Sequence, residues 1–240
     1  MKSIRSAVFA VVLGAAGLSA AMAQTPEAVI RKNLGERVPQ LQKIDEVSKT
    51  PMAGLFEVRV GTDLFYTDAE GNFLLEGHLM DTKLQRNLTE ERLDKLLAID
   101  FSALPLKDAF TIVRGNGKRK VAVFEDPNCP YCKRFERDLQ KVDNVTVHVF
   151  LYPILGPDSA AKSRNLWCSK DPAKAWQDWM LRGQAAASAN CDLSALMRNV
   201  EFGRSHKITG TPTMLFANGT RVPGALDTQQ IEKYLADAKQ

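Results

Sequence analysis

The sequence predicts an α+β protein in two unequal parts: a small N-terminal antiparallel sheet, and a larger domain in which strands and helices surround one reactive turn. Three observations carry this expectation. Val121-Ala122-Val123-Phe124 reads as a buried strand that runs through Asp126, Pro127 and Asn128 into Cys129-Pro130-Tyr131-Cys132, which opens a helix. Upstream, residues 55–60 and 63–66 alternate apolar and polar side chains between Gly54, Gly61 and Asp68-Ala69-Glu70-Gly71-Asn72, the pattern of short half-buried strands joined by turns. Between the two regions, residues 87–99 form a charged helix whose narrow apolar face of Leu93, Leu96 and Leu97 reads as a linker.

In chain order, residues 1–23 read as a signal peptide. Lys2 and Arg5 precede an apolar run that ends in Ala21-Met22-Ala23, the small-residue form of a cleavage site. The run is short and alanine-rich for a membrane span. Its destination is an exported, disulfide-permissive compartment. The 240 residues are 45% hydrophobic and 25% charged, enough apolar side chain for a real core. The formal net charge of +4 falls to +2 once Lys2 and Arg5 are removed, so nothing points to nucleic acid or anionic lipid as a partner.

A short amphipathic helix is expected over 24–38, with Val29, Ile30, Leu34 and Val38 on its apolar side. Residues 41–80 then supply the small sheet, the last strand of which spans 73–80 with Gly77 inside it. So small a unit, without cysteine, buries little surface alone, and association with a second copy is a common remedy. The polar helix starts at Asn87 or Thr89 with Glu90 and Glu91 in its first turn. The second domain is expected from about residue 104. Its first strands, 110–114 and 120–124, flank Gly115-Asn116-Gly117-Lys118-Arg119 and read as a hairpin. Residues 145–150 alternate as a strand, and 159–203 are helix-rich with Trp167, Trp176 and Trp179. At the end, Met214-Leu215-Phe216 is a strand, Asn218-Gly219 a hairpin turn, and Asp227 caps a last helix carrying Ile231, Tyr234 and Leu235.

The helix after the Cys-x-x-Cys has an apolar face of Cys132, Phe135, Leu139 and Val142, which puts Cys132 on the buried side. Cys129 then occupies the helix start, where backbone N–H groups lack partners, and Pro130 suits the first helical position. Only a thiolate attacks a disulfide, and a helix N-terminus favours an anion. Lys133, Arg134 and Arg137 add positive potential. Cys129 is therefore the expected attacking thiol and Cys132 the resolving one. Two plainer readings compete. Zinc needs about four ligands, and Cys168, Cys191, His78, His148 and His206 are scattered in sequence. An inert bridge would not require a helix start with a basic flank. Neither a metal nor a cofactor is expected.

Cys129 and Cys132 claim each other by spacing, leaving Cys168 and Cys191. In an oxidising compartment these two read as a structural disulfide, against the alternative of two unrelated buried thiols. The loop they would close gives roughly 3 kcal/mol on the chain-entropy model. Thr211-Pro212 opens an apolar strand, where a proline cannot donate to a ladder. It marks either a fixed cis turn or a trans edge proline.

VFEDPNCPYCKRF (123–135), followed by GTPTMLFANGTRVPG (210–224), resembles the DsbC/DsbG family of periplasmic disulfide isomerases, and the second stretch is especially like its DsbC branch. The resemblance covers the whole mature chain. It implies a dimerisation domain over 24–85, a linker helix over 86–103, and a thioredoxin-like catalytic domain with a helical insert over 104–240. It implies Cys129 as exposed nucleophile, Cys132 as buried partner, and Pro130, Tyr131, Thr211 and Pro212 as the surface that holds extended substrate, with Thr211-Pro212 a cis-proline loop. Cys168 and Cys191 match the DsbC structural bridge. The Pro130-Tyr131 pair departs toward DsbG. Thioredoxins also carry a buried acid six residues before the nucleophile. That place is Val123 here, which leaves water or another group such as Glu125 to take the Cys132 proton. The expected activity is isomerisation or reduction of non-native disulfides in misfolded exported proteins, with chaperone action, by a periplasmic homodimer re-reduced by the membrane reductase DsbD. A DsbG-like reductase, a DsbA-like oxidant and a client-holding chaperone without redox turnover are the alternatives.

Overall fold

The computed structural model describes residues 24–238, so the expected signal peptide lies outside the described residues. Among the described residues no helix is long and apolar enough to cross a membrane. They form two compact units, one ending at Gly77 and one beginning at His78.

In the first unit, helix α1 (Pro26–Arg37) starts where the Thr25 hydroxyl accepts the Ala28 N–H and Pro26 fills the first turn. Its face of Ile30 and Leu34 is buried with Leu41, Phe56 and Val58. Four strands follow: β1 (Glu46–Lys49), β2 (Phe56–Val60), β3 (Asp63–Thr67) and β4 (Leu74–Leu75). They pair antiparallel in chain order. Strands β2 and β3 are the two alternating runs. Strand β1 carries a single apolar residue, Val47, so it shows no periodicity and is held by its ladder with β2. The strand expected over 73–80 is broken. Only Leu74 and Leu75 pair with β3, and the chain leaves the ladder around Gly77, a residue that weakens a strand interior.

In the second unit, a two-stranded ladder of β5 (Met80–Asp81) and β6 (Arg86–Asn87) leads into α2 (Leu88–Leu97). The Asn87 side chain accepts the Glu90 N–H and caps that helix. Ile99 and Leu104, just beyond it, are buried with Phe124, Phe150 and Leu215, and the Ile99 N–H donates to Gly219 O at 3.3 Å.

The main sheet has β7 (Phe110–Arg114), β8 (Arg119–Glu125), β9 (Val145–Leu151), β10 (Thr213–Phe216) and β11 (Arg221–Pro223), in the order β11-β10-β8-β9-β7. Strands β8 and β9 are parallel, and the other pairs are antiparallel. Residues 121–124 of β8 are buried on both faces, which explains their unbroken apolar run. The expected hairpin between β7 and β8 does not form, because β9 lies between them. The glycine turn instead wraps the start of β9. A Cβ on Gly115 would lie 2.5 Å from the Asp143 and Asn144 side chains. A turn motif specifies a reversal of direction, and strand pairing is decided by what else can enter the sheet.

Helices α3 (Pro130–Leu139), α5 (Pro172–Arg182) and α7 (Thr228–Asp237) share one core with Val121, Val123, Met214 and Phe216. Ala122, Phe124 and Leu215 face the opposite layer, with Tyr152 and Ile208. Helices α4 (Pro157–Trp167) and α6 (Ser194–Ser205) complete the helical insert, and a Cys168–Cys191 disulfide joins the end of α4 to the stretch before α6. Asp227 and Gln230 form a capping box on α7.

Candidate active site

Strand β8 delivers the chain to a buried corner at Asp126. Its Oδ1 accepts the Asn128 N–H (2.8 Å) and the Ser159 hydroxyl (2.7 Å), and Oδ2 accepts the Leu155 N–H (3.0 Å). Its carbonyl accepts the Cys129 N–H at 3.0 Å. One carboxylate thus fixes the turn and ties it to the first turn of α4. Asn128 adds donors to Asp158 and Ser159, and the Trp179 indole N–H donates to Pro127 O at 2.6 Å. The sequence marks Asp126 only as part of a turn; the convergence on it comes from distant residues.

Cys129 is the N-cap of α3 and Pro130 its first residue. The Cys132 N–H donates to Cys129 Sγ at 3.4 Å, and the Cys129 thiol lies 3.2 Å from Thr211 O. Both thiols are free. Cys129 keeps 4% of its surface exposed and Cys132 none, so Cys129 is less open than the resemblance implies, yet it alone has any surface. Hydrogen bonds hold the Cys129 thiol down at about 5. The Cys132 S–H is the largest cause, with Thr211 and the N–H groups of Cys132 and Tyr131 adding to it against the opposing effect of burial. Such a thiol is mostly thiolate at neutral pH. Burial, first of all, pushes the Cys132 thiol far up and keeps it protonated. Of the basic flank, Lys133 sets its ammonium over the Trp179 ring, 4.4 Å from the centroid.

Thr211-Pro212 is a cis peptide. It brings Thr211 against Cys129 from a distance of some eighty residues in sequence, and the Pro212 carbonyl accepts the Gly224 N–H. Pro130 and Tyr131 lie on the outer side of the helix start, Tyr131 being 62% exposed. Cys168 and Cys191 are joined to each other in the insert and take no part in the dithiol. His148 bonds Thr111 across β7 and β9, His78 bonds Asn87, and His206 bonds Ser205. Among the described residues, no group of three or more His, Cys, Asp or Glu side chains converges as a metal site.

The chain matches two family models, the disulfide bond isomerase protein N-terminal domain over residues 21–90 and the thioredoxin-like domain over 106–239. It is 45% identical over 216 residues to a probable thiol:disulfide interchange protein DsbC of Bordetella parapertussis, covering 90% of this chain and 76% of the relative. The chain belongs to the DsbC family. Its enzyme class is therefore thiol:disulfide interchange. The family's Escherichia coli K12 member, the thiol:disulfide interchange protein DsbC, is 26% identical over 219 residues, covering 89% of each chain. A solved disulfide interchange protein from Neisseria gonorrhoeae is 42% identical, covers 57% of this chain and 99% of its own, and superposes with a TM-score of 0.55. Cys129 and Cys132 are the free cysteines among the described residues.

Proposed function

We propose that this protein is a periplasmic disulfide isomerase and reductase acting through Cys129 and Cys132. The observation that supports this most is the thiol held at about 5 at a helix start beside a buried, protonated partner. The Cys129 thiolate attacks a client disulfide, forms a Cys129–client bond and expels a client thiolate, which takes a proton from water. A second client thiol then displaces Cys129 and leaves a rearranged disulfide. Alternatively Cys132 attacks Cys129 Sγ, releases the client thiol and leaves a Cys129–Cys132 disulfide. That oxidised form needs two electrons from a reductant, the role of DsbD in the family.

Thr211, Pro212, Pro130 and Tyr131 surround Cys129 and form the surface for extended client backbone. Residues 24–85 make the dimer, 86–103 connect, and 104–240 carry the chemistry. Support for the dimer comes from strand β4, whose Leu74 and Leu75 are exposed at a sheet edge beside exposed Phe73 and Met52. An open apolar edge is a template for pairing with a second copy. Holding of unfolded clients, independent of turnover, follows from the same dimer. Residues 1–23 are the export signal.

Repair of a scrambled multi-disulfide protein tests the reading. The wild-type chain should restore the native activity of that client, Cys129→Ser should not, and Cys132→Ser should retain part. Repair no better than with an equal concentration of glutathione would sink the proposal. A second reading, a DsbA-like thiol oxidant, is favoured by the low Cys129 value, because a stabilised thiolate makes the disulfide more oxidising. Faster oxidation of a reduced client than repair of a scrambled one selects it. Suppressed aggregation by a Cys129→Ala, Cys132→Ala double variant checks the chaperone component.

A further inference from the structure

Two glutamates are fully buried behind the dithiol. Glu125 ends β8 and Glu136 lies on α3, one turn past Cys132, and neither has solvent exposure. The Glu125 carboxyl lies against both the Cys132 thiol and the Glu136 carboxyl. No hydrogen bond of ordinary geometry satisfies either Glu125 oxygen, nor Glu136 Oε2. Glu136 Oε1 accepts the indole N–H of Trp176 at 2.8 Å, from a residue itself completely buried in α5. The other groups acting on the pair are Arg114 from β7 and Cys129.

Two adjoining buried carboxylates cannot both be ionised without a large cost, and two neutral acids would leave the Trp176 donor facing an uncharged acceptor. One shared proton resolves this. The environments also differ. Burial and then the Glu136 charge push Glu125 well up, while the rise that burial imposes on Glu136 is opposed by the Trp176 N–H, by Glu125 and by Arg114. Burial raises both carboxyls, Glu125 the further, and the Trp176 N–H donates to Glu136, so the pair's negative charge is better placed on Glu136.

We propose that Glu125 and Glu136 form a carboxyl pair holding one proton between them, and that this pair accepts the Cys132 proton when Cys132 resolves a mixed disulfide on Cys129. The proposal rests on the dithiol reading above and adds the proton carrier. Cys132 is sealed from solvent, so its proton needs a local acceptor before the sulfur can attack. The singly charged pair takes that proton and becomes neutral. The Cys132 thiolate attacks Cys129 Sγ, the Cys129–client bond breaks, and the departing client thiolate takes a proton from solvent. The pair returns its extra proton to Cys132 when a reductant reopens the dithiol. Glu125 touches the reacting thiol. Glu136 is a positioning residue that acts through Glu125 and anchors the pair to the insert through Trp176.

Ellman's reagent separates the steps in the full-length reduced protein. A first thionitrobenzoate leaves when Cys129 attacks, and a second leaves when Cys132 resolves the adduct. In Glu125→Gln the first phase should persist and change far less than the second. The second should slow by roughly a hundredfold at neutral pH, the low end for a placed general base, and recover as pH rises. Glu136→Gln should slow the same phase less, and Trp176→Phe less again. Infrared spectra of the reduced wild-type protein should show the carbonyl stretch of one protonated carboxylic acid, absent from Glu125→Gln. Absence of that band in the wild type overturns the proposal even where a variant fails to fold. So does an unchanged second phase in both glutamine variants. A wild-type protein without a fast first phase would instead overturn the dithiol reading.

Discussion

Cys129 is the residue on which the chemistry turns, and its environment makes a pH prediction. With the thiol at about 5, brief iodoacetamide pulses should label Cys129 at a constant rate near neutral pH, falling tenfold per unit below about pH 5. Cys132, buried and protonated, should stay unlabelled, and preferential labelling of Cys132 would reverse the assigned roles. The same shift acts on stability. The folded value is depressed, so the contribution is complete above the unfolded thiol's pKa of about 8.5 and is lost as pH falls through about 5. The reduced wild type should therefore lose stability relative to reduced Cys129→Ala between pH 7 and pH 5, by at most about 1.4 kcal/mol per unit. Urea unfolding of both proteins across that window measures it, and a gap that does not narrow with falling pH contradicts the assignment.

Among the elements, the turn between β8 and α3 depends on Asp126. Asp126→Ala would leave the Ser159 hydroxyl and the Leu155 N–H without their acceptor in a buried place. The expected cost is about 3 kcal/mol, with slower Cys129 alkylation as the turn loosens. Denaturation that moves by less than about 0.5 kcal/mol, within the range of ordinary surface changes, would show that the turn holds itself. Helix α6 gives a second case. Gly203 packs so closely on Tyr152 that a Cβ would fall 2.4 Å from the ring. Tyr152 is buried and donates its hydroxyl to Ile208 O at 2.9 Å, so it has no free direction in which to yield. Gly203→Ala should destabilise by about 1–3 kcal/mol through overpacking, and a melting temperature equal to wild type would refute the contact.

For the whole molecule, the proposed dimer makes a test of the exposed edge. Leu74 and Leu75 are 41% and 52% exposed, so replacing both by lysine should leave the first unit folded. If that edge joins two copies, Leu74→Lys with Leu75→Lys should halve the mass seen by light scattering. The double variant should still exchange disulfides with a small peptide and should repair a scrambled protein poorly, because client retention by two linked sites is lost. An unchanged dimer mass in the variant would exclude this edge as the interface.

What the sequence alone determined is what short-range physics controls. The helix start at Cys129-Pro130, the alternation in β2 and β3, the Asp227 cap and the burial of Cys132 all depend on neighbours within a turn or two. Each was legible in the residue pattern, as was the motif pair that led to the family. The tertiary structure decided everything that depends on which distant segments meet. Strand β9 slides between β7 and β8, so a good turn sequence closes no hairpin. Strand β1, nearly without apolar residues, exists through its partner β2. The cis geometry at Thr211-Pro212 was open in the sequence, since a local motif does not set an X–Pro isomer that packing selects. Glu125 could be suspected as a proton carrier from its place near the nucleophile. Glu136 could not, because a charged residue on a helix reads as solvent-facing until Trp176, forty residues further along the chain in α5, donates to it. The local pattern states which atoms are capable of the chemistry, and the packing of remote side chains sets their protonation.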